Sequence, residues 1–205
     1  MKRTARSFDR LHHAPDQADM ALVLIDVIND REFDGADELL THAIPMAHAL
    51  AALRRRAKAR GIPGIYANDN FGRWRSDFLR LVQRCLQSGV RGRPIVAQLQ
   101  PEEDDYFVLK PKHSAFFSDQ LRNSPGLSGL ILTGIAGDIC VLFSANDAYM
   151  RDFRIFVAAD CTACETDERS REALILMQRV LKANISPSLD LELEKLASQL
   201  GRSER

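Results

Sequence analysis

Five short, almost uninterrupted apolar runs, each followed by a stretch of helical character, constrain this chain more than any other feature. The runs are ALVLI (21–25), IPGIYA (62–67), YFVLK (106–110), LILTG (130–134) and RIFVAA (154–159). A strand with one wet face alternates apolar and polar side chains, so a continuous run of this length reads as a strand buried on both faces. The clearest helix is expected over 36–60, rich in alanine and leucine and ending at Gly61; Pro45 inside it predicts a kink or a short separate pre-helix. Further helices are expected over 76–88, near 117–124, and over 138–151, 168–182 and 189–200, and ANISPS (183–188) is a candidate sixth strand. Strands alternating with helices imply an α/β fold, a parallel sheet with helices on both faces. The 205 residues suit one such domain, taken as 19–205, preceded by an N-terminal arm (1–18) that is either flexible or packed on another subunit.

Charge narrows the partners. Lysine plus arginine equals aspartate plus glutamate, 28 each, so no overall field favours nucleic acid or an anionic membrane. No apolar run approaches the ~20 residues of a membrane span, and MKRTARSFDRLHHAPD lacks the apolar segment of a signal peptide. The four cysteines are too few and too unevenly spread for a secreted disulfide scaffold. A cytoplasmic protein that recognises a small molecule locally is the expectation.

In a parallel sheet, ligands bind outside the carboxyl ends of the strands. The residues leaving those ends here are Asp26, Asn68 to Asn70, Lys110 and the turn from Gly134 to Cys140. Each has a bland reading alone: the aspartate as a helix cap, the lysine as a solvated charge, the cysteine as a small core hydrophobe. Together they make chemical sense. A free thiol, with pKa ~8.5, is mostly protonated at neutral pH. A helix N-terminus and an ammonium group favour the thiolate, whereas a nearby carboxylate opposes it, so the useful role for Asp26 is to accept the thiol proton.

DVIND (26–30), LKPKHSAFFSDQL (109–121), LTGIAGDICVLFSANDAY (132–149) and VAADCTA (157–163) resemble the isochorismatase-like cysteine hydrolases. That family includes nicotinamidases, N-carbamoylsarcosine amidohydrolases and isochorismatases. The resemblance implies a Rossmann-like parallel sheet of five or six strands in a three-layer α/β/α sandwich, assembled as a homo-oligomer (dimer or tetramer). It implies a catalytic triad of Asp26, Lys110 and Cys140, with Ser114, Ala115 and Phe116 setting the register of the lysine. It also implies a cis peptide between Ile135 and Ala136, and an oxyanion hole formed by the N–H groups of Ala136 and Cys140. The activity so implied is hydrolysis of a small-molecule C–N bond, amide or N-carbamoyl, through a thioester and without a cofactor. A catalytically silent member that binds a small molecule or serves as a scaffold is the alternative. A thiol-redox protein using Cys140 or the Cys161/Cys164 pair is a third.

The chain also departs from the family pattern. Ile28 stands where a polar side chain is common, and Gly137 and Asp119 stand where threonine is usual. The metal site of nicotinamidases draws histidines from the loop after the second strand. Here that loop reads NDNFGRWRSDF, and Asp69 alone makes no zinc site, so no metal is expected. Asn68, Asn70, Arg73 and Trp74 from this loop, with His113, are the candidate substrate-binding residues, suited to a carboxylate on a planar or apolar body. The competing reading packs Trp74 on the next helix and leaves the arginines to solvent.

Overall fold

The first strand, β1 (Met20–Ile25), shows why its apolar run has no polar breaks. Met20, Leu22 and Leu24 enter one hydrophobic core, whereas Ala21, Val23 and Ile25 enter another. Successive side chains on a strand point to opposite faces, so both faces of β1 are covered. The computed structural model describes residues 18–69, 78–117, 121, 124 and 126–200.

The sheet contains β1, β2 (Gly64–Asp69), β3 (Tyr106–Lys110), β4 (Gly129–Ile135) and β5 (Arg154–Ala163), in the order β3-β2-β1-β4-β5 and parallel throughout. One face is covered by α1 (Ala36–Lys58), α2 (Phe78–Cys85), a short turn α3 (Arg93–Val96) and α6 (Leu193–Leu200). The other is covered by α4 (Leu142–Tyr149) and α5 (Asp167–Leu181). The result is the three-layer α/β/α sandwich, with five strands. No helix among the described residues is long and apolar enough to cross a membrane.

Three expectations need adjusting. Pro45 detaches no pre-helix: α1 is one helix, acidic in its first turn (Asp37, Glu38) and basic in its last (Arg55, Arg56, Lys58). Its buried stripe, including Leu39, Ala43, Met46, Ala47, Leu50 and Leu53, runs past the proline on both sides, so tertiary packing outweighs one missing hydrogen bond. The candidate sixth strand is only a parallel bridge between Phe156 and Asn184, after which Pro187, with no N–H to donate, precedes a 3-10 turn. The short α3, with Pro94 in its first turn, is an element that the apolar pattern does not announce.

The strand order places the site. The chain builds β2 and β3 on one side of β1, then crosses to the other side for β4, and the crevice outside the carboxyl ends of a parallel sheet opens where the direction reverses. Asp26 follows β1, and Lys110 ends β3, two strands away. At ~4.8 Å per strand spacing, a residue on β3 must bridge roughly 9.6 Å to meet β1, a gap that the long lysine stem and an aspartate close together.

Candidate active site

Lys110 is 1% exposed, and its Nζ lies 2.6 Å from Asp26 Oδ2. The same ammonium donates to Cys140 Sγ at 3.6 Å and to the Lys112 carbonyl at 3.1 Å. Asp26 has φ of 50°, a left-handed conformation that turns the chain sharply after β1. Its carboxylate is held from the other side by the Asp69 N–H, which donates to Oδ1 at 3.0 Å. One cation thus bridges a carboxylate and a thiol at one end of the sheet.

Cys140 stands in a π-helical turn, Gly137–Val141, that leads into α4. The peptide between Ile135 and Ala136 is cis, and the Ala136 carbonyl accepts from the N–H groups of both Ile139 and Val141. Gly134, with φ of 111°, lets β4 run hard against β1: a Cβ there would sit 2.1 Å from the Ile25 carbonyl oxygen. The Ser144 hydroxyl ties the two halves together. It donates to the Cys140 carbonyl at 2.7 Å and accepts from the Ala115 N–H at 3.0 Å, so the helix carrying the thiol is pinned to the segment that follows the lysine strand.

The thiol is not a standing thiolate. Burial, and then the charge of Asp26, push the Cys140 pKa up to about 12, although Lys110 acts in the opposite direction. At neutral pH, attack by this sulfur therefore requires a base to take its proton.

These groups line a cavity of about 250 Å³, to which Ala136, His113, Arg31 and Arg169 also contribute. His113 Nδ1 lies 3.9 Å from Sγ, and its ring packs on Phe143 with centroids 5.5 Å apart. Of the candidate substrate-binding residues, His113 is at the cavity. Asn68 is not: it is 1% exposed, and its Nδ2 donates to the Ile28 carbonyl at 2.6 Å. Asn68 therefore braces the turn after β1 and does not line the cavity. Ile28 itself is fully buried in the core, so the departure at that position exchanges a polar side chain for an apolar one. Asn70, Arg73, Trp74 and Asp119 lie outside the described residues.

Gly137 has a packing reason. A Cβ there would approach the sulfur of Cys164 to 3.1 Å and Thr162 Cβ to 3.6 Å. The side chains at the end of β5 occupy the space a threonine would need. Cys161 and Cys164 are buried free thiols, both pushed upward in pKa first by burial, which suits packing beside the turn better than redox exchange.

Two features were not found from the sequence. Asp138, in the π turn, is gripped by Arg169 of α5, with Nη2 2.6 Å and Nε 2.7 Å from Oδ2, and Arg169 also pairs with Glu165. Arg31, five residues after Asp26, is 4% exposed and lines the cavity. The only local signal was its place in NDREF, directly after the aspartate motif.

Residues 20–186 match the Isochorismatase domain family. An uncharacterized isochorismatase family protein, YaaI, of Bacillus subtilis is 39% identical over 173 residues, covering 83% of this chain and 94% of that protein. The structure of N-carbamoylsarcosine amidase from Thermoplasma acidophilum superposes with a TM-score of 0.63 at 25% identity, over 84% of this chain and 98% of that one. The pyrazinamidase/nicotinamidase of Streptococcus mutans does so with a TM-score of 0.62 at 27% identity, over 81% and 99%. A match spanning most of the chain, carried on the same sheet with its polar residues gathered at the carboxyl ends of the strands, makes this protein a member of the isochorismatase family.

Proposed function

We propose that this protein is a cysteine-nucleophile hydrolase that cleaves a C–N bond, amide or N-carbamoyl, in a small molecule. The observation that carries the reading is the Lys110 ammonium, 2.6 Å from the Asp26 carboxylate and 3.6 Å from the Cys140 sulfur, at the wall of a cavity. The names of two structural relatives, N-carbamoylsarcosine amidase and pyrazinamidase/nicotinamidase, support the choice of bond.

The chemistry follows from the raised pKa of the thiol. Because the thiol is held near 12, Asp26 removes its proton as the sulfur attacks the carbonyl carbon, and no free thiolate accumulates. The C–S bond forms, and the carbonyl oxygen takes the negative charge, received by the N–H groups of Ala136 and Cys140. Lys110, 2.6 Å from the Asp26 carboxylate, holds that side chain in place before and after the transfer. The protonated Asp26 gives its proton to the departing nitrogen, the C–N bond breaks and a thioester remains. Asp26 then takes a proton from water as the water attacks the thioester. The C–S bond breaks, Asp26 returns the proton to the departing sulfur, and the acid is released with the thiol restored.

The test is a panel of primary amides and N-carbamoyl acids assayed for ammonia release. Turnover by the wild type and a fall of at least about 10⁴-fold in Cys140→Ala are expected. Unchanged turnover in Cys140→Ala would sink the scheme.

A further inference from the structure

We propose that the Arg31 guanidinium is the anion-binding subsite of the cavity, so that the ligand is a small organic acid whose carboxylate rests on Arg31 while its reacting group faces Cys140. The statement about the ligand's reacting group rests on the hydrolase reading above; the anion subsite stands apart from it.

Arg31 is a buried cation with unusually few partners. Its backbone N–H donates to Asn29 Oδ1 at 2.7 Å, which fixes a left-handed turn with φ of 58° and aims the side chain back at the end of β1. One terminal nitrogen donates to the Asp26 carbonyl, while Nε is buried without any partner. The neighbouring carboxylates are engaged elsewhere. Asp26 pairs with Lys110 at 2.6 Å, Asp30 with Arg84 at 3.0 Å, and Asp138 and Glu165 with Arg169. Among the described residues, no carboxylate comes within ion-pair distance of Arg31. Burial lowers its pKa to about 10, which still leaves it charged at neutral pH.

A guanidinium presents its donors in a planar fork, and a carboxylate with two oxygens matches that fork edge to edge. A carboxylate at this place would satisfy Nε and supply the missing countercharge at once. A neutral ligand would leave the buried N–H unpaired, and sites of this kind discriminate strongly against analogues that lack the matching group. Arg169, on the same cavity, does not offer an equivalent place, because Asp138 and Glu165 already neutralise it.

The test compares alkylation of Cys140 by iodoacetate and by iodoacetamide, reagents that differ chiefly in the charge beside the reacting carbon. In both, the sulfur forms a C–S bond, iodide leaves and the thiol proton is lost; the modified residue is identified by mass spectrometry. In the wild type, the iodoacetate-to-iodoacetamide rate ratio should exceed that of free cysteine by about tenfold. Arg31→Gln should return it to the free-cysteine value, and Arg31→Lys should keep part of the preference. The same ratio in wild type and folded Arg31→Gln overturns the proposal. Because Arg31 is buried, a second measurement uses the wild type alone: excess propionate should slow its labelling by iodoacetamide, and failure to do so also overturns the subsite. Alkylation needs no hydrolysis. A ratio that depends on Arg31, with no turnover of any amide, would therefore defeat the hydrolase reading and leave the subsite standing. Turnover with a ratio indifferent to Arg31 would do the reverse.

Discussion

The sheet buries an arginine at each end, and the two are treated in opposite ways. At the amino ends of β1, β2 and β3, Arg54 is met by Asp105 at 2.6 Å and Glu102 at 3.1 Å, and it donates to the Gln100 carbonyl at 2.9 Å. Lys58 closes the cluster through Asp104 and Glu102. At the carboxyl ends, Lys110 is matched to Asp26, but Arg31 has no carboxylate within ion-pair distance, and the Cys140 thiol lies between the Lys110 ammonium and the His113 ring. Both ends carry ionic groups beside a hollow, of about 180 Å³ and 250 Å³ respectively. Charge near a cavity therefore does not by itself mark a reactive site. What differs is countercharge: at the amino end carboxylates neutralise Arg54 and Lys58, although Arg54 Nε, like Arg31 Nε, has no hydrogen-bond partner, whereas at the carboxyl end Arg31 is left without a carboxylate.

The sharpest way to break this contrast is to remove one carboxylate from each end. Asp26→Asn should lower amide turnover by about 10³- to 10⁴-fold, because the thiol then has no base. Yet iodoacetamide should label Cys140 faster at pH 8, since the carboxylate charge that helps raise this thiol is gone. If labelling fell together with turnover, Asp26 would be activating the thiol by some means other than accepting its proton. At the opposite end, Arg54→Ala should leave turnover per folded molecule unchanged and cost about 3–5 kcal/mol in urea denaturation, because Asp105 stays buried with no countercharge. A loss of turnover without a loss of stability would erase the distinction between the two ends.

A smaller effect tests the packing behind the π turn. Gly137→Ala should cost about 1–3 kcal/mol, since the new methyl group meets the Cys164 sulfur, and Cys164→Ala in the same chain should recover most of it. Additive losses in the double variant would show that the two positions do not share that space.

The last effect is set by pH. The folded-state pKa values of Cys85 and Cys140 are raised from 9.0 to about 11 and about 12, with burial the main cause in both. The unfolded chain therefore releases these protons first. Stability is unaffected by them below about pH 9 and falls as pH rises from there towards 11 and 12, by up to about 1.4 kcal/mol per pH unit for each thiol. Cys140→Ala should flatten the alkaline limb of a stability profile measured by urea denaturation. An unchanged slope would mean that the Cys140 thiol is not held in its protonated form.

Much of the fold was legible because its cause is local. β3 runs over the residues its apolar run predicts, and the other four strands are displaced or extended by a few residues at their ends. The largest extension is in β5, which continues to Ala163 past a register shift in its pairing with β4. Such shifts depend on the neighbouring strand, not on the run itself. Asp26, Lys110 and Cys140 stood out because each ends a strand or follows one, and the ends of parallel strands share an edge. Asn68 misled for the same reason: it lies near a strand end, but alternation turns its side chain into the protein, where it meets the Ile28 carbonyl. Its neighbour Asp69 faces the cavity instead.

By itself the sequence determined the class of sheet, its burial on both faces and the edge where polar chemistry collects, because period-two patterning and strand ends are properties of consecutive residues. Tertiary structure alone decided which charges neutralise one another. Arg31 and Arg54 look alike in the sequence, but Glu102 and Asp105, whose carboxylates neutralise Arg54, come from a segment some fifty residues further on, and nothing in the described fold brings an equivalent group to Arg31. The same holds for Gly137, whose missing side chain makes sense only beside Cys164, just past the end of β5. Pairing energy depends on distances of a few ångströms between parts of the chain far apart in sequence, and those distances exist only once the strands have found their register.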